Sequence, residues 1–80
     1  MTHSILRLPA IIASTGLSRS TIYLRIKQRM FTNPVSLGGR AVGWPASEVT
    51  ALNAARIAGK TDGEVRELVV QLKAARKAVA

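Results

Sequence analysis

The stretch "TGLS", Thr15 to Ser18, limits the folds open to this chain more than any other feature. Glycine takes the left-handed conformation that ends a helix, and serine is among the best N-caps for the next. Gly16 and Ser18 therefore read as a stop and a start only two residues apart. The segment before them, "LPAIIAST", carries Pro9 in a first turn, where its missing N–H costs nothing. The spacing predicts a first helix over about Pro9 to Thr15. A second helix is predicted from Arg19 to Gln28 or Arg29, with Ile22 and Ile26 one turn apart as its buried stripe. Leu17 plugs the turn from inside. Two short helices joined by a tight glycine turn form a helix-turn-helix.

Asn33-Pro34 then breaks the helical pattern. "VSL" and "AVGW" alternate in polarity on either side of "GGR", where glycines supply the positive φ angles of a tight bend. This predicts a β-hairpin with Arg40 near its tip and Trp44 closing the core behind it. Pro45 opens a third helix over Ala46 to Ile57. Val49 and Leu52 face inward, Ile57 lies near the end, and Gly59-Lys60 stops the helix. "TDGE" is a capping box, with Thr61 as N-cap and Glu64 reaching back. The fourth helix runs to about Ala78, with Val65, Leu68, Leu72, Ala75 and Val79 on a stripe of heptad spacing. A helix folded back over the domain and a helix that self-associates both produce such a stripe. The expected architecture is mainly α with a small β-hairpin wing. A winged helix-turn-helix spans 1–60 and an amphipathic helix spans 61–80.

Charge narrows the function. The 80 residues hold one domain with a modest core and no room for a large catalytic cleft. Twelve Lys/Arg against four Asp/Glu give +8, and no acid precedes Glu48. Arg7, Arg19, Arg25, Lys27, Arg29 and Arg40 all lie in that acid-free part. Such an uneven basic field favours a polyanionic partner. Absence of cysteine excludes a disulfide framework or a cysteine-based zinc site, and fits a reducing cytoplasm, the expected location. The single histidine, His3, has no carboxylate partner near it in sequence, and no phosphate-binding glycine motif occurs. An enzyme is not expected, nor a cofactor or metal. Apolar runs such as "PAIIA" are too short to cross a membrane. Arg7 interrupts the N-terminal apolar stretch before it reaches signal-peptide length.

With Ile22 and Ile26 inward, the opposite face of helix two carries Ser20, Leu24, Lys27 and Gln28, flanked by Thr21 and Tyr23. Arg19 projects from the first turn. Serine, threonine and glutamine bond to base edges, and arginine bonds bidentately to guanine. Lysine and tyrosine hold phosphates, which fix position without reading sequence. In a helix-turn-helix the N-terminal part of the second helix meets the bases of double-stranded DNA in the major groove. Structural roles compete at several positions. Ser18 is better read as a cap than as a base contact. Tyr23 divides evenly between packing on the core edge and touching phosphate. Arg25 and Arg29, at the sides of the wheel, read at least as readily as solvated charges. Arg40 on the hairpin suits the DNA backbone or minor groove. RNA readers offer exposed aromatics for stacking, and Phe31 and Trp44 look structural here. An adaptor using its basic face mainly for protein contacts remains the other reading.

"LRLPAIIASTGLSRSTIYLRI" and "FTNPVSLGGRAVGWPASEVTAL" resemble the AlpA-like family of small phage and prophage regulators, over about Ile5 to Ala58. The matching features are Thr15 to Tyr23, Phe31, Pro34, Arg40, Trp44 and Ser47-Glu48-Val49. The resemblance implies a MerR-like winged helix-turn-helix and regulation of transcription or of prophage excision, as an activator or an excisionase-type directionality factor. An integrase or RNA polymerase is the protein partner it implies, with a homodimer or multimer assembling on DNA. Two features depart from the family pattern. "FTNP" separates an aromatic and a proline that usually adjoin. The helix from Thr61 exceeds the family core, so nothing carries over to it.

Overall fold

A computed structural model of the chain describes residues 4–78. His3 and Val79, both weighed above, lie outside the described residues. The element order is β1 (Ile5–Leu6), α1 (Leu8–Thr15), α2 (Arg19–Lys27), β2 (Val35–Gly38), β3 (Ala41–Pro45), α3 (Ala46–Ile57) and α4 (Asp62–Ala75). A 3-10 turn, Arg76–Ala78, follows α4.

The helix-turn-helix forms where its punctuation predicts. Gly16 is left-handed, with φ 72°, and its N–H donates to Ile12 O. The Ser18 hydroxyl accepts from the Thr21 N–H at 3.2 Å and caps α2. Leu17 is half-buried against the core. α1 begins one residue earlier than expected, at Leu8, and α2 ends at Lys27.

The hairpin pairs Val35 with Gly43 and Ser36 with Val42, and an irregularity follows before Gly38 meets Ala41. A third strand, unexpected from the sequence, joins it. Ile5 pairs with Pro45 and Leu6 with Trp44, giving the antiparallel order β1-β3-β2. Two residues carry no readable alternation, so β1 is visible only through its partner. Gly43 makes room for it. A Cβ there would stand 2.5 Å from Ile5 Cγ2 and 3.0 Å from the Leu6 carbonyl oxygen.

Trp44 is fully buried, as the sequence predicts. Its indole N–H donates to Thr32 O at 2.8 Å, and Phe31 and Tyr23 each meet it edge-on with ring centroids 6.4 Å apart. Ile11, Ile22, Val49 and Leu52 complete the inner layer. Ile57 differs from expectation: it is 87% exposed, and Ala55 takes the inward position. A residue five past Leu52 is rotated well away from it at 3.6 residues per turn.

α4 packs on the same core. Val65 and Val69 are buried, Leu68 and Leu72 lie half-buried beside them, and Ala75 is exposed. The buried stripe is thus rotated from the heptad pattern to include Val69. The expected capping box is present, with Thr61 N–H donating to Glu64 Oε1 at 3.0 Å and Glu64 N–H to Thr61 Oγ1 at 3.2 Å. These bonds with Thr61, and then the charge of Lys60, hold the Glu64 carboxyl below its ordinary pKa. The box therefore supports α4 above the usual carboxylate pKa and weakens as pH falls through the lowered value.

The far end of α4 is tied by polar bonds. Glu48, on the first turn of α3, is 4% exposed. Arg76 grips both its oxygens, Nε at 2.7 Å and Nη2 at 2.6 Å, and Nη2 also donates to Asn33 O. Lys73 reaches Asn33 Oδ1 at 3.4 Å. So the "TN" that parts Phe31 from Pro34 has structural work: Thr32 O receives Trp44, and Asn33 receives α4.

Two substitutions test this account. Arg76→Ala leaves a buried carboxylate without its partner, which costs about 3 kcal/mol. That is much of the stability of a chain this small, so urea denaturation should show a large fall in midpoint. Gly43→Ala should cost about 1–3 kcal/mol through displacement of β1. An unchanged melting temperature would refute the close approach.

Candidate nucleic-acid interface

α2 carries its polar side to the surface because its apolar side is short. Ile22 is fully buried and Ile26 half-buried. Arg19, Ser20, Tyr23, Leu24, Lys27 and Gln28 are exposed. Leu24 is 52% exposed, unusual for a leucine with nothing to cover it. Thr21 is half-buried, and its hydroxyl lies 2.9 Å from that of Ser18, with Ser20 Oγ 3.3 Å from Ser18 on the other side. These three hydroxyls cluster at the helix start, where backbone N–H groups and the positive dipole end also point outward. Tyr23 packs its ring edge against Trp44, which fixes the phenol while leaving the residue 40% exposed. Arg40 shares an exposed two-residue turn with Gly39, after Gly38 at the end of β2, and the two glycines have φ angles of 56° and 104°.

The basic residues fall into two groups. Among the described residues, Arg7, Arg19, Arg25, Lys27, Arg29 and Arg40 make no side-chain hydrogen bond or ion pair. In the second half most cations are occupied. Lys60 pairs with Glu64, Arg66 donates to Gln28 O at 3.0 Å, and Lys73 and Arg76 hold Asn33 and Glu48. Arg25 is half-buried and lines a cavity of about 300 Å³ with Arg56, apart from the exposed side of α2. Arg7, exposed at the N-cap position of α1, was not singled out by periodicity. Its signal is its place after β1, which the sequence does not reveal.

Arg29 is unusual. α2 and α3 end in the same way. Arg29 and Met30 N–H donate back to Ile26 and Arg25 carbonyls, as Gly59 and Lys60 N–H do to Arg56 and Ala55. The left-handed residue is Gly59 in one case, φ 73°, and Arg29 in the other, φ 64°. A side chain in that conformation costs about 1–2 kcal/mol. Arg29→Gly should therefore raise stability by about 0.5–1 kcal/mol once the freer unfolded chain is counted. A lower melting temperature in this variant would contradict the strain.

Among the described residues no helix is long and apolar enough to cross a membrane, and no cluster of metal-ligating side chains occurs. No solved structure is significantly similar to the chain. It is 53% identical over 58 residues to "Uncharacterized protein ORF88" of Enterobacteria phage P4, a match covering 72% of this chain and 66% of that protein. Residues 4–57, which hold the helix-turn-helix, the hairpin and α3, match the family described as "Prophage CP4-57 regulatory protein (AlpA)". The chain belongs to this AlpA family of phage regulatory proteins.

Proposed function

We infer that the chain is a sequence-specific double-stranded DNA-binding regulator of the phage or prophage type, acting on transcription in the cytoplasm. α2 enters the major groove, and the 35–44 hairpin lies on the backbone or minor groove as a wing. Residues 1–60 supply the contacts, and 61–80 brace them. The observation that carries this reading is the division of cations: among the described residues, six in the acid-free half have no protein partner, whereas most in the other half do. A surface that leaves arginines unpaired beside a serine-capped helix end suits a polyanion.

Roles follow from position. Arg19 and Ser20, on the exposed first turn, read bases, with Gln28 further along the same side. Thr21 supports the cap and offers its methyl to the groove wall. Leu24 makes apolar contact with a thymine methyl. Lys27, Tyr23 and Arg40 hold phosphates. Arg29 joins them, since strain retained at a surface arginine is best explained by a function for that side chain.

The apolar stripe of α4 is used inside the core, so assembly of several copies on one site would need other surfaces. A second reading is an excisionase-type architectural adaptor that recruits an integrase. The exposed apolar face around Ile5 and Leu37 favours it.

The test is binding to DNA flanking the protein's own gene and to a scrambled duplex, across a salt titration. The operator reading expects tight, sequence-dependent binding whose logarithm falls steeply with log salt. Lys27→Ala should weaken binding to every sequence and reduce the slope by about 1. Arg19→Ala or Ser20→Ala should change preference among sequences by about 1–3 kcal/mol. Arg29→Gly should bind DNA more weakly despite its greater stability. Equal, weak binding to both duplexes would sink the operator reading and leave the adaptor.

A further inference from the structure

The hairpin sheet has two faces. On the inner one Trp44 and its β1 partner Leu6 meet the core. Successive side chains alternate across a strand, so Gly43 and Pro45 turn outward with their partners Val35 and Ile5. There Ile5 and Leu37 close over Gly43, whose Cβ, if present, would lie 2.5 Å from Ile5 Cγ2 and 3.3 Å from Leu37 Cδ1. Ile5 is 41% and Leu37 44% exposed. The patch runs into a groove of about 290 Å³ beside the end of α4, lined by Ile5, Val35, Pro45 and Leu72. A water-facing side of an antiparallel sheet is ordinarily polar. A contiguous apolar face marks an interaction site.

The chain carries +8, and the exposed Arg7 and Lys77 lie within two residues in sequence of the groove residues Ile5 and Arg76. The carboxylate that lines the groove, Glu48, is neutralised by Arg76.

We propose that this outer face docks an acidic segment of a partner protein, a helix presenting apolar side chains flanked by carboxylates. Charge complementarity selects that occupant. A second copy fits less well, because two chains of +8 repel. Of the chain's own acids, Glu48 is held by Arg76 and Glu64 by the α4 cap, leaving Asp62 and Glu67. Nucleic acid offers no apolar exterior to fill the groove. The face lies on the side of the sheet opposite Trp44 and Tyr23, so an occupant leaves the exposed side of α2 open. The face shares the hairpin with the proposed wing, but its groove is also lined by Ile5 and Leu72, which lie outside the hairpin, so peptide binding and DNA binding are read separately.

The experiment uses the full chain and three synthetic peptides: an amphipathic helix with leucines along one face and glutamates on its flanks, a scrambled version, and one with lysine for glutamate. Amide chemical shifts are followed during titration. The acidic helix should give saturable changes at Ile5, Val35, Leu37 and Leu72, weakening with salt. Leu37→Ser and Ile5→Ser, both at exposed positions, should each lower its affinity by about tenfold, with DNA binding measured in parallel and unchanged in Ile5→Ser, which lies outside the hairpin. Equal shifts from the scrambled or lysine peptide, or none from the acidic one, would overturn the proposal. So would a concentration-dependent dimer abolished by Leu37→Ser, which would assign the face to a second copy. Loss of DNA binding in Leu37→Ser without change in peptide affinity would assign it to the DNA contact.

Discussion

Burial of Trp44 is the constraint on which the rest of the structure depends. The indole is fully enclosed, and its one donor is satisfied by Thr32 O. A buried N–H without a partner would cost more than most single contacts here return. That bond therefore fixes the loop after α2 against β3. The ring sides then place Tyr23 of α2 and Phe31 of the loop, and the strand places Leu6 of β1 opposite. One side chain thus sets the relation between the second helix of the helix-turn-helix and the hairpin. A chain of 80 residues has little core to spare, so much of its architecture turns on this one side chain.

What the sequence made legible was local. Gly16, Ser18, Thr61-Glu64 and the bounds of α3 rest on capping and backbone preference, which act within a few residues. The family resemblance to "TGLSRSTIY" and the wing residues pointed the same way, and the match over residues 4–57 bears it out. What stayed hidden was non-local. β1 is two residues long and exists only because Gly43 lets it approach. The Glu48–Arg76 pair joins residues 28 apart, and nothing in either neighbourhood predicts it. Val69 joined the buried stripe because α4 lies on the domain's own core, where Val65 and Val69 are buried with Leu68 and Leu72 beside them. The exposure of α2's polar side could be drawn on a wheel, but which cations lack partners could not, since pairing depends on where α4 lies.

That pairing gives the charge asymmetry its physical meaning. In sequence, the chain is simply more basic in its first half. In three dimensions, most second-half cations are directed at carbonyls and carboxylates that hold α4 in place, while those of the first half keep their donors. The field of an unpaired guanidinium reaches a distant anion, whereas one locked on a carboxylate contributes little beyond its own pair. Among the described residues Lys60 and Arg76 are the cations that meet carboxylates, and with the second half at a net +2 the charge toward a partner is concentrated on the helix-turn-helix and wing.

The exposed helix is held at its two ends by different means. Its start is self-capped by Ser18, within one turn, and the cap bond draws on no residue outside the helix and its N-cap. Its end depends on the tertiary fold. Met30 is buried, and Arg66 of α4 donates to the Gln28 carbonyl. A cation at a helix C-terminus also meets the negative end of the dipole. Arg29 sits between these two anchors, in a conformation that glycine takes more easily. The first turn, where base contacts are expected, is thus set by local chemistry and tolerates change elsewhere. The last turn is set by how α4 docks, so a change that loosens α4 from Asn33 or Glu48 alters the tilt of the helix while leaving its tip intact.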